Sequence, residues 1–542
     1  MQHNNHQHWF KEAIVYSFDI RGFKDGNMDG LGDIKGLLAK FDHLVALGVN
    51  CIWMTPFYCS NHRDDGYDVT DYYQIDPKLG DFDDFDSLVK KAKSHGVKVI
   101  LDLVINHTST EHPWFKKAVE QPDSMYYDYY IWKKKKPKND KEDVVFKTIE
   151  DSNWAYQPDV SAYFYHTFYK HQPDLNIVNP RVQEEILKII DFWMKKDIDG
   201  FRLDAVPHVL RNKGDSRFKG DPFDLLNTWT KAARKHNKQA VLIGEVDVEP
   251  EDYPKFYEAK KLTGIFNFYL NNYCFLALTD EKAAPLISAL GRLPEPDKRH
   301  YLNFLRNHDE LDLERLTEEE RQRVYDKFAP EPSMIIYDRG IRRRLPPMVQ
   351  NNQAQIRLAF SVLTTLPGVP VIRYGEEIGM GDDLNLPERK SVRTAMQWSS
   401  GRNGGFSDVV PQALGYPLIQ QGQFSYERVN VEAQEADGAS LLNVVKAMLR
   451  IRKSEAAFFA HGHFSVLEAG HDAVLAYQYQ IEDRRIIVLH NFSGEHVKTD
   501  IRLSAMPTET ITPLLENGGQ LTVSDKQITA GLPAYAYCWF KV

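Results

Sequence analysis

A chain of 542 residues, 42% hydrophobic and 26% charged, is long enough for a large core and more than one domain, and this balance excludes a disordered or fibrous class. Its net charge of −9 and pI near 6.1 argue against a nucleic-acid partner, whose footprint would be basic, and favour a small or neutral ligand. Cys51, Cys59, Cys274 and Cys538 are too scattered for a disulfide framework or a zinc spacing, and the Met1–Trp9 tail lacks the apolar centre of a signal peptide; reduced thiols, no membrane partner and a cytoplasmic setting are expected.

After that tail, 13–18 reads as a first strand. Ile34, Leu37, Leu38, Phe41, Leu44 and Val45 keep the 3.6-residue period of one amphipathic helix, and 49–54 gives a second strand. A helix over 82–94 ends at Gly96, and the apolar run 97–103 suits a strand buried in a parallel sheet. From 108 to 176 the alternation lapses into aromatic and charged sequence, which predicts an inserted subdomain with the Lys133–Lys136 run as a solvated tip. Regularity returns with a helix over 182–194 and strands at Phe201, 240–243, 264–268, 301–305 and 369–372. Eight strands with helices between them predict an α/β fold, a (β/α)8 TIM barrel, while β-rich runs at 473–479, 485–490 and 534–540 predict a C-terminal β-sandwich. The expected organisation is 1–107 and 177–452 as barrel, 108–176 as insert and 453–542 as sandwich. A doubly wound sheet is disfavoured, because Gly30-x-Gly32-x-x-x-Gly36 misses the dinucleotide spacing.

A barrel holds its catalytic groups at the carboxyl ends of its strands, and polar residues follow four of these runs: Asp102 with Asn106 and His107, Arg202 with Asp204, Glu245, and His308 with Asp309. Arg202 and Asp204 are two apart, so in a strand they share a face, and the guanidinium would hold the carboxylate ionised and oriented as a nucleophile. Asp204, Glu245 and Asp309 would converge on one mouth, where repulsion and burial push their pKa values apart. An ionised and a protonated carboxyl together are what glycoside cleavage needs, one to attack the anomeric carbon and one to protonate the departing oxygen. Glu245, beside apolar Val246, is the expected acid/base. Asp309 is expected to stabilise the oxocarbenium-like transition state or hold hydroxyls, His107 and His308 to donate to hydroxyls of the same ring, and Tyr67, in a polar loop two residues before Val69, to stack on it, with a place in the core as its alternative. Asp25-Gly26-Asn27-Met28-Asp29-Gly30-Leu31-Gly32-Asp33 alternates oxygen donors with glycine at the sixth place, the pattern of a calcium loop without the distant glutamate of a full EF-hand; a plain Asx turn is the alternative.

Asp102-x-x-x-Asn106-His107, Gly200-Phe201-Arg202-x-Asp204, Glu245 and Asn307-His308-Asp309, in this order, resemble the four sequence regions of the α-amylase superfamily. Gln172-Pro173-Asp174-Leu175-Asn176 resembles the extra motif of its oligo-1,6-glucosidase branch, and Asp64-Asp65-Gly66-Tyr67-Asp68 the segment that holds the non-reducing glucose. The resemblance implies that Asp64 pairs with Arg393 of Val392-Arg393-Thr394-x-Met396-Gln397-Trp398, and that a second cation sits on Asn106, Asp174 and a backbone carbonyl near His208. One or two structural Ca2+ ions and no organic cofactor are therefore expected. Within the superfamily the chain is most similar to the trehalose synthases, through Phe304-Leu305-Arg306-Asn307-His308-Asp309-Glu310-Leu311, Gly340-Ile341-Arg342-Arg343-Arg344-Leu345 and Arg402-Asn403-Gly404-Gly405-Phe406-Ser407. That implies interconversion of maltose and trehalose through a covalent glucosyl-enzyme; the alternatives are an α-glucosidase on short α-glucosides and, more remotely, a non-catalytic glucosidase-like binding protein. After the acid/base the family usually continues Ala-Asn-Gln-Trp, whereas Val246-Asp247-Val248-Glu249 stands here. The Arg342-Arg343-Arg344 loop is read either as a lid that keeps water from the acceptor or as a surface or interdomain ion-pair network. The expected partner is a disaccharide or small oligosaccharide, and a homo-oligomer is compatible with the sequence.

Overall fold

The structure is a computed structural model describing residues 8–141, 143–211, 220–295, 299–503, 511–523 and 527–542; residues 1–7 of the tail lie outside it. Eight parallel strands, Val15–Phe18, Cys51–Met54, Lys98–Leu103, Gly200–Leu203, Val241–Gly244, Gly264–Phe266, Tyr301–Phe304 and Val369–Arg373, pair in sequence order, and the last closes on the first. Almost every strand residue is buried, which is why these runs read as continuously apolar instead of alternating. Val15, Trp53, Ile100, Ile243, Phe266, Leu302 and Val371 pack the barrel interior, and a larger apolar layer seals the surrounding helices onto its outside.

The helix expected over 34–45 is two helices, Ile34–Ala39 and Phe41–Leu47. Lys40 breaks them at φ −106, ψ 9, its amide donating to Gly36 and Leu37 carbonyls. Both segments turn the same apolar face inward, so the periodicity runs straight through the break. Between the third and fourth strands lie the helix Pro113–Glu120 and a three-stranded antiparallel sheet of Trp132–Lys133, Ala162–Tyr165 and Trp154–Gln157, before the helix Pro180–Met194 returns the chain to the barrel. Bridges pairing His107 with Asp174 and Tyr130 with Leu175 stitch this segment back onto the end of the third strand.

The C-terminal region forms a five-stranded and a three-stranded antiparallel sheet around Val474, Ile487, Leu489, Ile501, Ile528 and Phe540. It sits on the helix Gln353–Thr365, which leads into the last barrel strand. Trp539 Nε1 donates to Ser361 Oγ at 2.8 Å, His490 Nε2 meets the same hydroxyl at 2.8 Å, and the Tyr479 hydroxyl donates to the Thr365 carbonyl at 2.5 Å. Among the described residues, no helix is long and apolar enough to cross a membrane.

Candidate active site

The register of the third and fourth strands sets Asp102 opposite Arg202. Arg202 Nη1 donates to both Asp102 oxygens, at 2.9 and 3.1 Å, and to Asp204 Oδ1 at 2.6 Å, while Nη2 donates to Glu245 Oε2 at 2.5 Å. One guanidinium therefore serves three carboxylates instead of clamping Asp204 alone. Its faces lie over Trp53 and Tyr67, with Cζ 5.2 and 6.0 Å from the ring centroids, which fixes its plane. Burial outweighs this shared cation: it pushes Asp204 up to about 6 and Glu245 up to about 7, with neighbouring carboxylates adding to the rise. Both carboxyls are raised and Glu245 lies above Asp204, the order required of an acid beside a nucleophile.

Ala205, directly after the nucleophile candidate, stands at φ 47, in the left-handed region that costs a side-chain-bearing residue about 1 kcal/mol. The turn aims its amide at Glu245 Oε2, 3.1 Å away, so the two carboxyl groups are tied through both Arg202 and this strained backbone.

Asp309 is the opposite case. Burial would raise its pKa, but the Arg389 and Arg393 guanidiniums hold it well below the usual range, with the His308 ring Nε2 3.1 Å from Oδ2. Arg389 Nη1 and Arg393 Nη2 reach Asp309 Oδ1 at 2.5 and 2.8 Å. Asp64 is bound by Arg389 Nη2 at 2.7 Å and accepts from Gln172 Nε2 at 3.0 Å. The Asp64–Arg393 pair implied by the family resemblance is not formed: Arg393 Nη1 takes the neighbouring Asp65, at 2.6 Å. Asp65 stands at φ 50, so consecutive carboxylates in this turn serve different arginines. Arg389 enters from the short helical turn Glu388–Val392, with Cζ 5.1 Å from the centroid of Phe146 and 6.0 Å from that of Tyr169.

The arginine run serves that same turn. Arg342 Nη2 donates to the Leu384 and Leu386 carbonyls at 2.7 and 2.6 Å, and Arg344 donates to the Val392 and Tyr374 carbonyls at 3.3 and 3.0 Å. Arg344 is only 1% exposed, so the lid reading fails for it; the run braces the loop that carries Arg389.

Asp204, Glu245, Asp309, Asp64, Tyr67, His107 and His308 all line one cavity, with Arg202 and Arg393 behind its wall. Tyr67 stacks on His308, ring centroids 5.3 Å apart and planes 1° apart, and donates its hydroxyl to Asp102 at 2.9 Å. His107 Nε2 lies 3.0 Å from the Tyr67 carbonyl. Burial drives His308 far below the ordinary histidine value, so its ring is neutral and can donate to or accept from a hydroxyl. Phe146, Phe168, Phe268, Asp247, Glu310, Asp312, Arg339 and Arg389 also line the cavity, and sequence reasoning gave them no site role. Asp247 carried a signal as the departure after the acid/base, Phe268 lies in the 264–273 segment that also departs from the family, and Glu310 stood in the stretch that carries the resemblance.

The 25–33 loop closes on its own amides. Asp25 accepts from the amides of Asn27, Met28 and Gly30 and from Ser407 Oγ, Asp33 accepts from those of Gly26, Asn27 and Gly36, and Asp29 accepts from Asn27 Nδ2 and the Leu31 amide. This oxygen-only set suits a hard divalent cation, but Asp25 and Asp33 would have to release amide donors to hold one. Asn106 lies at the seam with the insert, where its carbonyl accepts from the Leu175 amide, and the two Asp174 oxygens accept from the Thr167 amide and hydroxyl at 2.8 and 2.6 Å. Among the described residues, the acidic group whose oxygens come within 4.8 Å of one another is Asp247, Asp312 and Glu314.

The sequence profile of the α-amylase catalytic domain matches residues 19–331 and 338–462, and that of the maltogenic amylase C-terminal domain matches 464–539. The chain is 38% identical over 544 residues to the trehalose synthase/amylase of Mycobacterium tuberculosis, covering 98% of this chain and 90% of that protein. It is 40% identical over 501 residues to the trehalose synthase of Thermus thermophilus, covering 92% of this chain and 52% of the relative. Among solved structures, the α-amylase from H. orenii matches with a TM-score of 0.78 at 28% identity, over 98% of this chain and 99% of that one. With the closed barrel, the carboxylates at its mouth and a catalytic-domain match over most of its length, the chain belongs to the α-amylase family.

Proposed function

We propose that the chain is a retaining α-glucosyl-transferring enzyme on small α-glucosides that interconverts maltose and trehalose. The observation that carries this reading is one cavity in which Asp204 and Glu245 share a single guanidinium, with Glu245 raised above Asp204, within a chain similar to trehalose synthases. Asp204 attacks C1 of the bound glucosyl unit while Glu245 gives its proton to the departing oxygen, forming a glucosyl ester on Asp204 and free glucose. Asp309, held ionised by its two arginines, offsets the positive charge that develops on the ring. Asp64 and Arg389 would hold the non-reducing end, with Tyr67 beneath the ring. If the released glucose turns in place, Glu245 removes the proton of its anomeric hydroxyl, that oxygen attacks C1, and trehalose forms as Asp204 leaves. If water takes that position instead, the product is glucose.

Proton NMR of maltose incubated with the enzyme tests this reading: trehalose should accumulate ahead of free glucose. Glucose as the sole product would make the chain an α-glucosidase, and unchanged maltose would overturn the catalytic assignment. The same proposal keeps Ca2+ as a structural ion in the 25–33 loop, where four oxygen-bearing side chains stand within nine residues. It also keeps the cytoplasm as the compartment, supported by four unpaired cysteines.

A further inference from the structure

The seventh strand ends at Phe304, and the residues after it leave the sheet while staying largely buried: Arg306 is 1% exposed and His308 7%. Carbonyls in such a stretch have lost their ladder partners and must find other donors. Three arginines supply them in succession. Arg373 Nη1 donates to the Asn307 carbonyl at 2.8 Å, Arg393 Nε to the His308 carbonyl at 2.7 Å, and Arg306 Nη2 to the Asp309 carbonyl at 2.8 Å. Arg373 and Arg306 each reach a second segment as well. Arg373 Nη2 donates to the Val392 carbonyl at 2.7 Å, on the turn that carries Arg389. Arg306 Nε donates to the Arg343 carbonyl at 2.8 Å, in the run that braces that turn. Neither Arg306 nor Arg373 lines the cavity.

We infer that Arg306 and Arg373 are positioning residues for the glucosyl transfer: by holding the main chain of 307–309 against the 388–393 turn and the arginine run, they fix where the Asp309 carboxylate stands over the reacting ring. The inference rests on the proposed reaction and assigns it two side chains outside the cavity wall. Arg389 Nη1 and Arg393 Nη2 both reach the same Asp309 oxygen, Oδ1. Those pairs set the distance of the carboxylate from the turn more than its orientation, and orientation then falls to the backbone beneath it. The Asn307 side chain helps, accepting from the Asp309 amide at 3.1 Å. The arrangement is costly to the fold. Burial pushes Arg306 down to about 10 and Arg373 down to about 9, with the neighbouring Arg344 cation adding to the fall at Arg373. Both stay charged at neutral pH, deep in the protein, where an apolar side chain of similar length would avoid the desolvation. A buried cation that spends its donors on carbonyls serves geometry, because its planar fork holds two backbone segments at one fixed separation.

The test takes Arg306→Met, Arg373→Met and the corresponding lysine variants, and measures kcat and KM for maltose beside inhibition by glucose and by a protonated iminosugar that copies the charged ring. Each methionine variant should lose about 100-fold in kcat, with KM within about threefold of wild type. Iminosugar inhibition should weaken at least about tenfold and glucose inhibition less than about threefold, since the positive ring depends most on where Asp309 stands. Lysine reaches one carbonyl at a time and should restore about tenfold of the lost kcat. A general loosening of the fold would weaken both inhibitors alike. Methionine variants within threefold of wild-type kcat, or inhibitors that weaken together, would overturn the inference. Should the methionine variants not fold, the lysine variants carry the same comparison, and failure of all four to fold would also overturn it by making both arginines structural. A wild type that turns over no α-glucoside would instead sink the proposed transfer reaction, a separate and recognisable failure.

Discussion

Arg389 is the residue whose loss should reveal most about how the cavity is built. Its guanidinium spans Asp64 and Asp309 at 2.7 and 2.5 Å, and all three side chains are less than one-fifth exposed. Arg389→Ala would strand Asp64 as a buried carboxylate held by Gln172 Nε2, while Asp309 keeps Arg393 and His308. Removing one partner from a buried pair costs about 3–5 kcal/mol, and if this falls on the transition state, kcat/KM for maltose drops by about two to four orders of magnitude. Arg389→Lys, which can reach one carboxylate at a time, should recover part of the loss. The stability effect has a definite sign. Asp309 is held below its ordinary value near 3.8, so its stabilising contribution is full above that pH and fades as the pH falls further. The gap in Tm between wild type and Arg389→Ala should therefore be widest at neutral pH and shrink below about pH 4. Steady-state kinetics and calorimetry at pH 7 and pH 4 read both effects; an alanine variant within threefold of wild-type activity would refute the assignment of this bridge.

The pH–rate profile for maltose should be bell-shaped between limbs near 6 and 7, because Asp204 must lose its proton and Glu245 must keep one; a profile flat from pH 5 to 9 would contradict those roles. Glu245→Gln should abolish maltose turnover but retain attack on α-glucosyl fluoride, whose leaving group needs no proton, whereas Asp204→Asn should lose both. Arg344→Ala removes donors to the Val392 and Tyr374 carbonyls inside the core, so Tm should fall by several degrees; an unchanged Tm would show that the brace under Arg389 is dispensable. Calorimetry in EDTA and in added Ca2+ should separate by a measurable Tm shift if the 25–33 loop takes the ion, and coincident traces would remove it.

The barrel was legible because a strand buried on both faces cannot alternate, so all eight appear as apolar runs between helical periods. Asp204, Glu245 and Asp309 were legible because each follows such a run directly. Arg389 was not, since it sits in an irregular turn without periodicity and its carboxylate partner lies 325 residues away. Charge alone favoured Arg393 equally well, and only the left-handed turn at Asp65 decides which arginine meets which aspartate. The break at Lys40 escaped for a related reason: apolar spacing records which face is buried, not whether the backbone between two turns remains helical. The sharing of Arg202 among three acids could not be read from the two-residue spacing, which showed Asp204 but not the cross-strand register of Asp102.

The attachment of the C-terminal sheets to Ser361 and Thr365 has a consequence for anyone shortening this protein. The helix they grip feeds the strand that closes the ring, and Arg452, just before those sheets begin, donates to the Thr364 and Gly368 carbonyls at that same junction. A barrel cut free after residue 452 would leave the Ser361 hydroxyl and the Thr365 carbonyl facing water on the helix that leads into the eighth strand. Removing the far end of the chain should thus loosen the circle at its last stitch, and the sugar-holding mouth would feel a deletion made in a region that never touches it.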